Sequence, residues 1–316
     1  MPAFIAFANL PALIKIAAFF LGWLLLWLPI AIPLGRFLQW HPFREGTSAS
    51  QKLPLVASLY VLAPAVLWGA ARLENQSFSV YGLVWSSDTL RSLFLGWGLG
   101  VLGLLTLFGI QCGLGWQKFR SSMLAPLPSS PSPKPLPEPS PEPGLEPSDH
   151  QIAESLDRPT FSLKSLLNLV LTTLVLALWI SLTEELIFRG FLLNQLGQDY
   201  ALVWAAAIAS LIFAVLHLVW EGRENIPQLP GLWLMGVVLC LARWANDGSL
   251  GLASGLHAGW VWVIACLDTT RALEITGKAP EWLTGIGGKP LAGLMGLLFL
   301  LITALVLWGV AGAGGA

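Results

Sequence analysis

Residues 165–190 read SLLNLVLTTLVLALWISLTEELIFRG. From Ser165 to Thr183 there is no charged residue, and a helix needs ~20 mostly apolar residues to cross a bilayer. Two carboxylates and a guanidinium then arrive within six positions, as Glu184, Glu185 and Arg189. An ionisable group inside a span costs at least ~2.5–3.5 kcal/mol near the helix centre on insertion scales, so a span that keeps three has a use for them. On an α-helix Glu185 and Arg189 stand one turn apart on a single face, with Ser181 a turn earlier, and this predicts an intrahelical ion pair. Glu184 points ~100° away around the helix and has Phe188, not a cation, at its i+4 position. The spacing therefore leaves Glu184 to face a different neighbour as a free acid or base.

Outward from this stretch, apolar runs recur along the chain. Candidate spans fall near 16–34, 53–71, 92–111, 165–190, 201–219, 230–245, 250–267 and 291–311. Of 316 residues 55% are hydrophobic and 11% charged, less than half the charge of an average soluble domain. The fold expected is an all-α, polytopic membrane helix bundle of about eight transmembrane helices. The first run has no basic segment before it and reads as a retained span rather than a cleaved signal. Trp40, Trp116, Trp220, Trp244 and Trp282 fall near predicted span ends, where an interfacial aromatic belt would put them. Cys112, Cys240 and Cys266 lie far apart in apolar surroundings and read as small buried hydrophobes. A net charge of −1 with no Lys/Arg cluster excludes nucleic acid as a partner, since that needs a basic footprint.

Between the third and fourth runs the composition changes. Residues 126–147 read PLPSSPSPKPLPEPSPEPGLEP, with ten prolines. Such a segment has nothing to bury and predicts an extended spacer. The chain accordingly divides into an N-terminal three-span region (1–120), a proline-rich linker (121–158), a core with the polar groups (159–268), and a loop with the last span (269–316). Lys and Arg concentrate in the loops after the first, third, fifth and seventh spans. The positive-inside rule then predicts a cytoplasmic linker in an integral, multi-pass membrane protein.

Two further polar groups interrupt the later spans: His217 in Phe213-Ala-Val-Leu-His217, and His257 in Gly255-Leu-His257-Ala-Gly259-Trp260-Val261. Counted by helical rise from the turn near 197–200, Glu184 and His217 come out at similar depth, while His257 matches less well. Two carboxylates, one guanidinium and two imidazoles from three spans are the ingredients of a polar site inside a bundle.

In their order, these motifs resemble the CPBP family of intramembrane proteases, also called the CAAX protease and bacteriocin-processing (Abi) family. Its pattern is EExxxR, then FxxxH, then HxxxN. Glu184, Glu185 and Arg189 match the first motif with the frequent Phe-Arg-Gly ending, Phe213 and His217 match the second, and His257 opens the third. The resemblance covers about 165–268. It implies an intramembrane endopeptidase, similar to the type II CAAX prenyl proteases, that hydrolyses a peptide bond near the membrane surface with glutamate/histidine-activated water. Carried over, Glu184 is the base, with Glu185 and Arg189 beside it. His217 is its partner or a metal ligand, and His257 an oxyanion donor or ligand. A zinc ion held by Glu184, His217 and His257 is one implied arrangement and a metal-independent site the other. The implied partners are the lipid bilayer and a membrane-associated or lipidated peptide or protein substrate. One position departs from the pattern: the asparagine of HxxxN falls on Val261, whose side chain has no donor. Loss of one oxyanion donor costs ~10²–10³ in rate, which puts activity in question. The alternative is a non-catalytic membrane scaffold or immunity-type protein that binds a partner in the same cavity.

Overall fold

The computed structural model describes residues 10–40, 49–120 and 161–314; the proline-rich stretch lies outside them. Among the described residues eight helices are long and apolar enough to cross a membrane. Three precede the linker: α1 (Ala12–Phe37), α2 (Ala49–Leu73) and α3 (Ser87–Gly113). After it come α4 (Leu163–Glu185), α5 (Leu193–Asp199), α6 (Leu202–Glu221), α7 (Leu229–Trp244), α8 (Gly251–Thr270) and α9 (Leu294–Gly314). A π-helical turn, Leu186–Leu192, joins α4 to α5 without a break, so the fourth span runs over 37 residues. Strand content among the described residues is one antiparallel ribbon, β1 (Gln117–Phe119) against β2 (Leu273–Ile275). The protein is an all-α, multi-pass integral membrane bundle.

Helix starts follow local chemistry. Ser86 and Ser162 cap α3 and α4, each accepting from a backbone N–H three residues on, at 3.1 Å, which satisfies one of the donors a helix start leaves over. Pro29 and Pro33 in α1, and Pro54 and Pro64 in α2, sit inside the helices. The outward faces are apolar: Leu167, Leu171 and Val175 on α4, and Ile302 and Leu305 on α9, are exposed. A water-soluble monomer does not present apolar bands of this extent; a bilayer solvates them.

The bundle is joined in two ways. α3 and α8 meet backbone to backbone along glycines. A Cβ on Gly96 or Gly100 would strike the carbonyls of Leu252 and Leu256, and one on Gly255 or Gly259 those of Leu93 and Trp97. This is the close approach that small residues at helical spacing permit in membranes. The α1–α2 hairpin is instead held by polar pins. Trp23 Nε1–H donates to the Leu59 carbonyl at 3.1 Å. At one end Lys15 pairs with Glu74 at 3.4 Å and donates to Gln198 at 3.0 Å. Gln195 donates to Glu74 at 2.6 Å, and the Ala12 N–H to Asp199, also at 2.6 Å.

Candidate active site

α4 changes character at Ser181. Up to that point its residues are exposed or half-buried except Ala177, and from Thr183 to Leu193 every residue is buried. The carboxylates sit at this transition, Glu184 at 7% exposure and Glu185 at 0%. Glu185 Oε1 accepts from Arg189 at 2.9 Å. The π turn starts at the next residue, and such turns occur often at functional sites. Arg189, 1% exposed, also donates to the Gly236 carbonyl of α7 at 3.3 Å. Its guanidinium stacks over the Phe213 ring, 4.4 Å from the centroid, where the ring's negative face meets the cation. Gly236 is required because a Cβ there would lie 2.6 Å from Ser210 Cβ of α6.

His257 of α8 faces both carboxylates. Its Nδ1 lies 2.8 Å from Glu185 Oε1, and its Nε2 lies 3.7 Å from Glu184 Oε2. A guanidinium is always charged, so the buried Arg189 calls for the negative charge on Glu185. A carboxylate only accepts, so His257 Nδ1 carries a hydrogen on the Glu185 side, and Nε2 faces Glu184. The same logic orients the histidine of an Asp–His pair in serine proteases. On its other side Glu184 is engaged from the N-terminal region, where the Tyr60 hydroxyl of α2 donates to Oε1.

His217 stands apart from this cluster. Its Nδ1–H donates to the Phe213 carbonyl at 2.8 Å. The Phe213 ring intervenes, with centroids 4.5 Å from His217 and 6.1 Å from His257. The depth count favoured His217 over His257 as the neighbour of Glu184, and the structure reverses that order. The count assumed helices starting in one plane, whereas the α4–π–α5 span is far longer than α8. Among the described residues no group of three His, Cys, Asp or Glu side chains is arranged to hold a metal ion. Glu184, His217 and His257 thus do not converge as a ligand set.

The contacts of Tyr60 and those of Arg243 escaped the sequence reading. Tyr60 lies in a span that showed no ionisable group to mark it. Arg243, at the end of α7, is a clamp. It donates to the carbonyls of Arg189 and Gly248, the latter at 2.9 Å, and reaches that of Val80 at 3.5 Å. This ties the loop before α3 to the π turn. Gly190 admits the loop, since a Cβ there would press on the Tyr81 backbone at 3.0 Å. Tyr81 itself donates to Glu74 at 3.1 Å, and burial, then the nearby carboxylate, push its phenol well above its ordinary range. Near Val261 two indoles differ. Trp262 spends its N–H on the Val170 carbonyl at 3.0 Å, whereas Trp260 Nε1 is buried without a partner, as are Ser181 Oγ, Ser254 Oγ and Glu185 Oε2. The cysteines are free thiols, Cys240 buried and Cys112 and Cys266 half-buried.

Residues 166–263 match the family model of the Rce1-like type II CAAX prenyl endopeptidases. This part of the chain is similar to the CAAX protease family. The matched segment holds Glu184, Glu185, Arg189, His217 and His257 and leaves out α1, α2, α3 and α9. An uncharacterized 24.3 kDa protein of Escherichia coli is 33% identical over 100 residues, 31% of this chain. The match spans 45% of that relative's length. No solved structure matches the chain.

Proposed function

We propose that the protein is an intramembrane endopeptidase in which Glu184 and His257 activate water against a peptide bond. The observation that carries this is the facing pair Glu184 Oε2 and His257 Nε2, 3.7 Å apart. With His257 in its neutral, Nδ1–H form both are acceptors, one a carboxylate oxygen and the other the Nε2 lone pair. A water between them donates one hydrogen to each and is left with its own lone pairs directed outward. That is the geometry asked of a general-base site, with the base within one hydrogen bond of the proton it removes.

As water attacks the carbonyl carbon, its proton passes to Glu184. The tetrahedral intermediate collapses when that proton reaches the leaving amine. The Arg189–Glu185 pair holds the His257 ring and takes no part in bond making. We assign the oxyanion donor, which Val261 does not supply, to the Trp260 indole N–H: it lies one turn from His257 and has no other acceptor. His217, behind Phe213, packs the wall of the site. The steps run through the chain's own residues because the donor set proposed for zinc does not come together. The substrate class is a membrane-associated or lipidated peptide. The Lys/Arg distribution supports a cytoplasmic linker, which places the start of α4 on that side.

The test is cleavage of pooled membrane and lipidated peptides, read by mass spectrometry, with the purified wild type, Glu184→Gln and His257→Ala. Wild-type cleavage lost in both folded variants is expected. Undiminished cleavage by Glu184→Gln would refute the assignment.

A further inference from the structure

Tyr60 is half-buried in α2, on the far side of Glu184 from His257. It belongs to the three-span region that the family match does not include. We propose that Tyr60 is a positioning residue for Glu184, so that the N-terminal region completes the active site. This rests on the protease reading above.

The argument starts from the carboxylate. Its two oxygens are equivalent until a partner distinguishes them. The Tyr60 hydroxyl donates to Oε1, which leaves Oε2 as the oxygen turned to His257. A hydrogen bond to an ionised group is among the stronger ones a protein makes, and Glu184 has no i+4 cation to hold it otherwise. The residues on the same helix that flank Glu184, Thr183 and Glu185, point elsewhere, and Glu185 is committed to Arg189 and His257. Tyr60 is therefore what fixes the plane of the carboxylate.

The scaffold around Tyr60 suits that role. α2 is anchored just past its C-terminal end through Glu74, which binds Lys15 of α1 and Gln195 of α5. Tyr60 and Glu74 are 14 residues apart, ~21 Å along a helix, and Glu184 and Gln195 11 residues, ~16 Å. Two parallel helices joined at both places hold their contact in register. Beside Tyr60, Leu59 receives the Trp23 indole N–H and Ser58 that of Trp27 at 2.9 Å. The α1–α2 hairpin thus presents a braced hydroxyl to the base.

The experiment uses the full chain in detergent, as wild type, Tyr60→Phe, Glu184→Ala and the double variant. Two readouts are taken: melting temperature and steady-state cleavage. Tyr60→Phe is expected to lower kcat roughly ten- to a hundredfold, the range for losing a hydrogen bond to a charged group, with KM unchanged. It is expected to lower the melting temperature more in the wild-type background than in Glu184→Ala, where the hydroxyl has lost this acceptor. Equal melting shifts in both backgrounds, or a wild-type kcat in Tyr60→Phe, would overturn the proposal. If the wild type cleaves nothing while the melting shifts depend on Glu184, the contact stands and the protease reading is what fails.

Discussion

The α3–α8 interface permits a prediction whose sign reverses between residues two positions apart. In Gly259→Ala the new Cβ would stand 2.6 Å from the Trp97 carbonyl oxygen and 3.0 Å from the Val101 nitrogen, and in Gly100→Ala it would stand 2.6 Å from the Leu256 oxygen. Ordinary carbon contacts lie near ~3.5 Å, and the struck atoms are backbone, so the helices must part by roughly 1 Å. Overpacking of that kind costs typically ~1–3 kcal/mol. It also shifts α8, and with it His257, away from Glu184 and Glu185. A misplacement of ~1 Å is worth about 10²-fold in rate. Gly98 and Gly109 lie on the same α3, and a Cβ on either meets nothing within 4 Å. There alanine gains up to ~1 kcal/mol of helix propensity over glycine. Thermal unfolding in detergent and the peptide-cleavage assay, run on all four variants, test this together. Gly259→Ala and Gly100→Ala should melt lower and cleave about a hundredfold more slowly, while Gly98→Ala and Gly109→Ala melt at or above the wild type with full activity. Equal tolerance at all four positions would show that α8 is not held by this contact, and would remove the account of how His257 is placed.

Arg189→Met should destabilise the protein by ~3–5 kcal/mol, the usual cost of leaving one member of a buried ion pair alone, while Arg189→Met with Glu185→Gln recovers much of it; a melting comparison of the single and double variants decides. Val261→Asn should raise the cleavage rate if the third motif lacks only a donor, and Trp260→Phe should lower it by ~10²–10³; an unchanged rate in Trp260→Phe counts against the indole as oxyanion donor. Cleavage should survive dialysis against a chelator, since Glu184, His217 and His257 do not form a ligand set; a loss restored by zinc would show that they converge on metal. The raised Tyr81 phenol gives a pH signature: the unfolded chain releases this proton near pH ~10 while the folded protein still holds it. That contribution to stability is whole below pH ~10 and declines as pH rises above it, so melting temperatures from pH 9 to 11 should fall less steeply in Tyr81→Phe.

The spans were legible because a bilayer imposes length and apolarity on every crossing segment, a constraint that composition alone reports. The observed helices overshoot the predicted runs by a few residues at most ends, since Ser86, Ser162 and the 3₁₀ turn before α7 carry the backbone beyond the apolar stretch. The Glu185–Arg189 contact was legible too, as spacing within one helix needs no tertiary knowledge. Contacts between helices were not. Nothing in the sequence of α2 distinguishes Tyr60 from an interfacial tyrosine, and nothing in α8 announces that its start lies deep enough to bring His257 level with Glu184. Both depend on how far each helix runs past its neighbour, which the glycine seam with α3 and the Lys15–Glu74 pin decide. The same reasoning explains why the matched segment covers the proposed catalytic groups yet leaves out the helices that pack against them. The helix that carries His257 packs on Gly96 and Gly100 of α3, and Glu184 accepts from Tyr60 of α2. In the proposed reading, a third of the chain holds the reacting groups while the contacts that position them come from spans outside the match. Sequence change in those outer spans is free to alter the site without touching a motif residue.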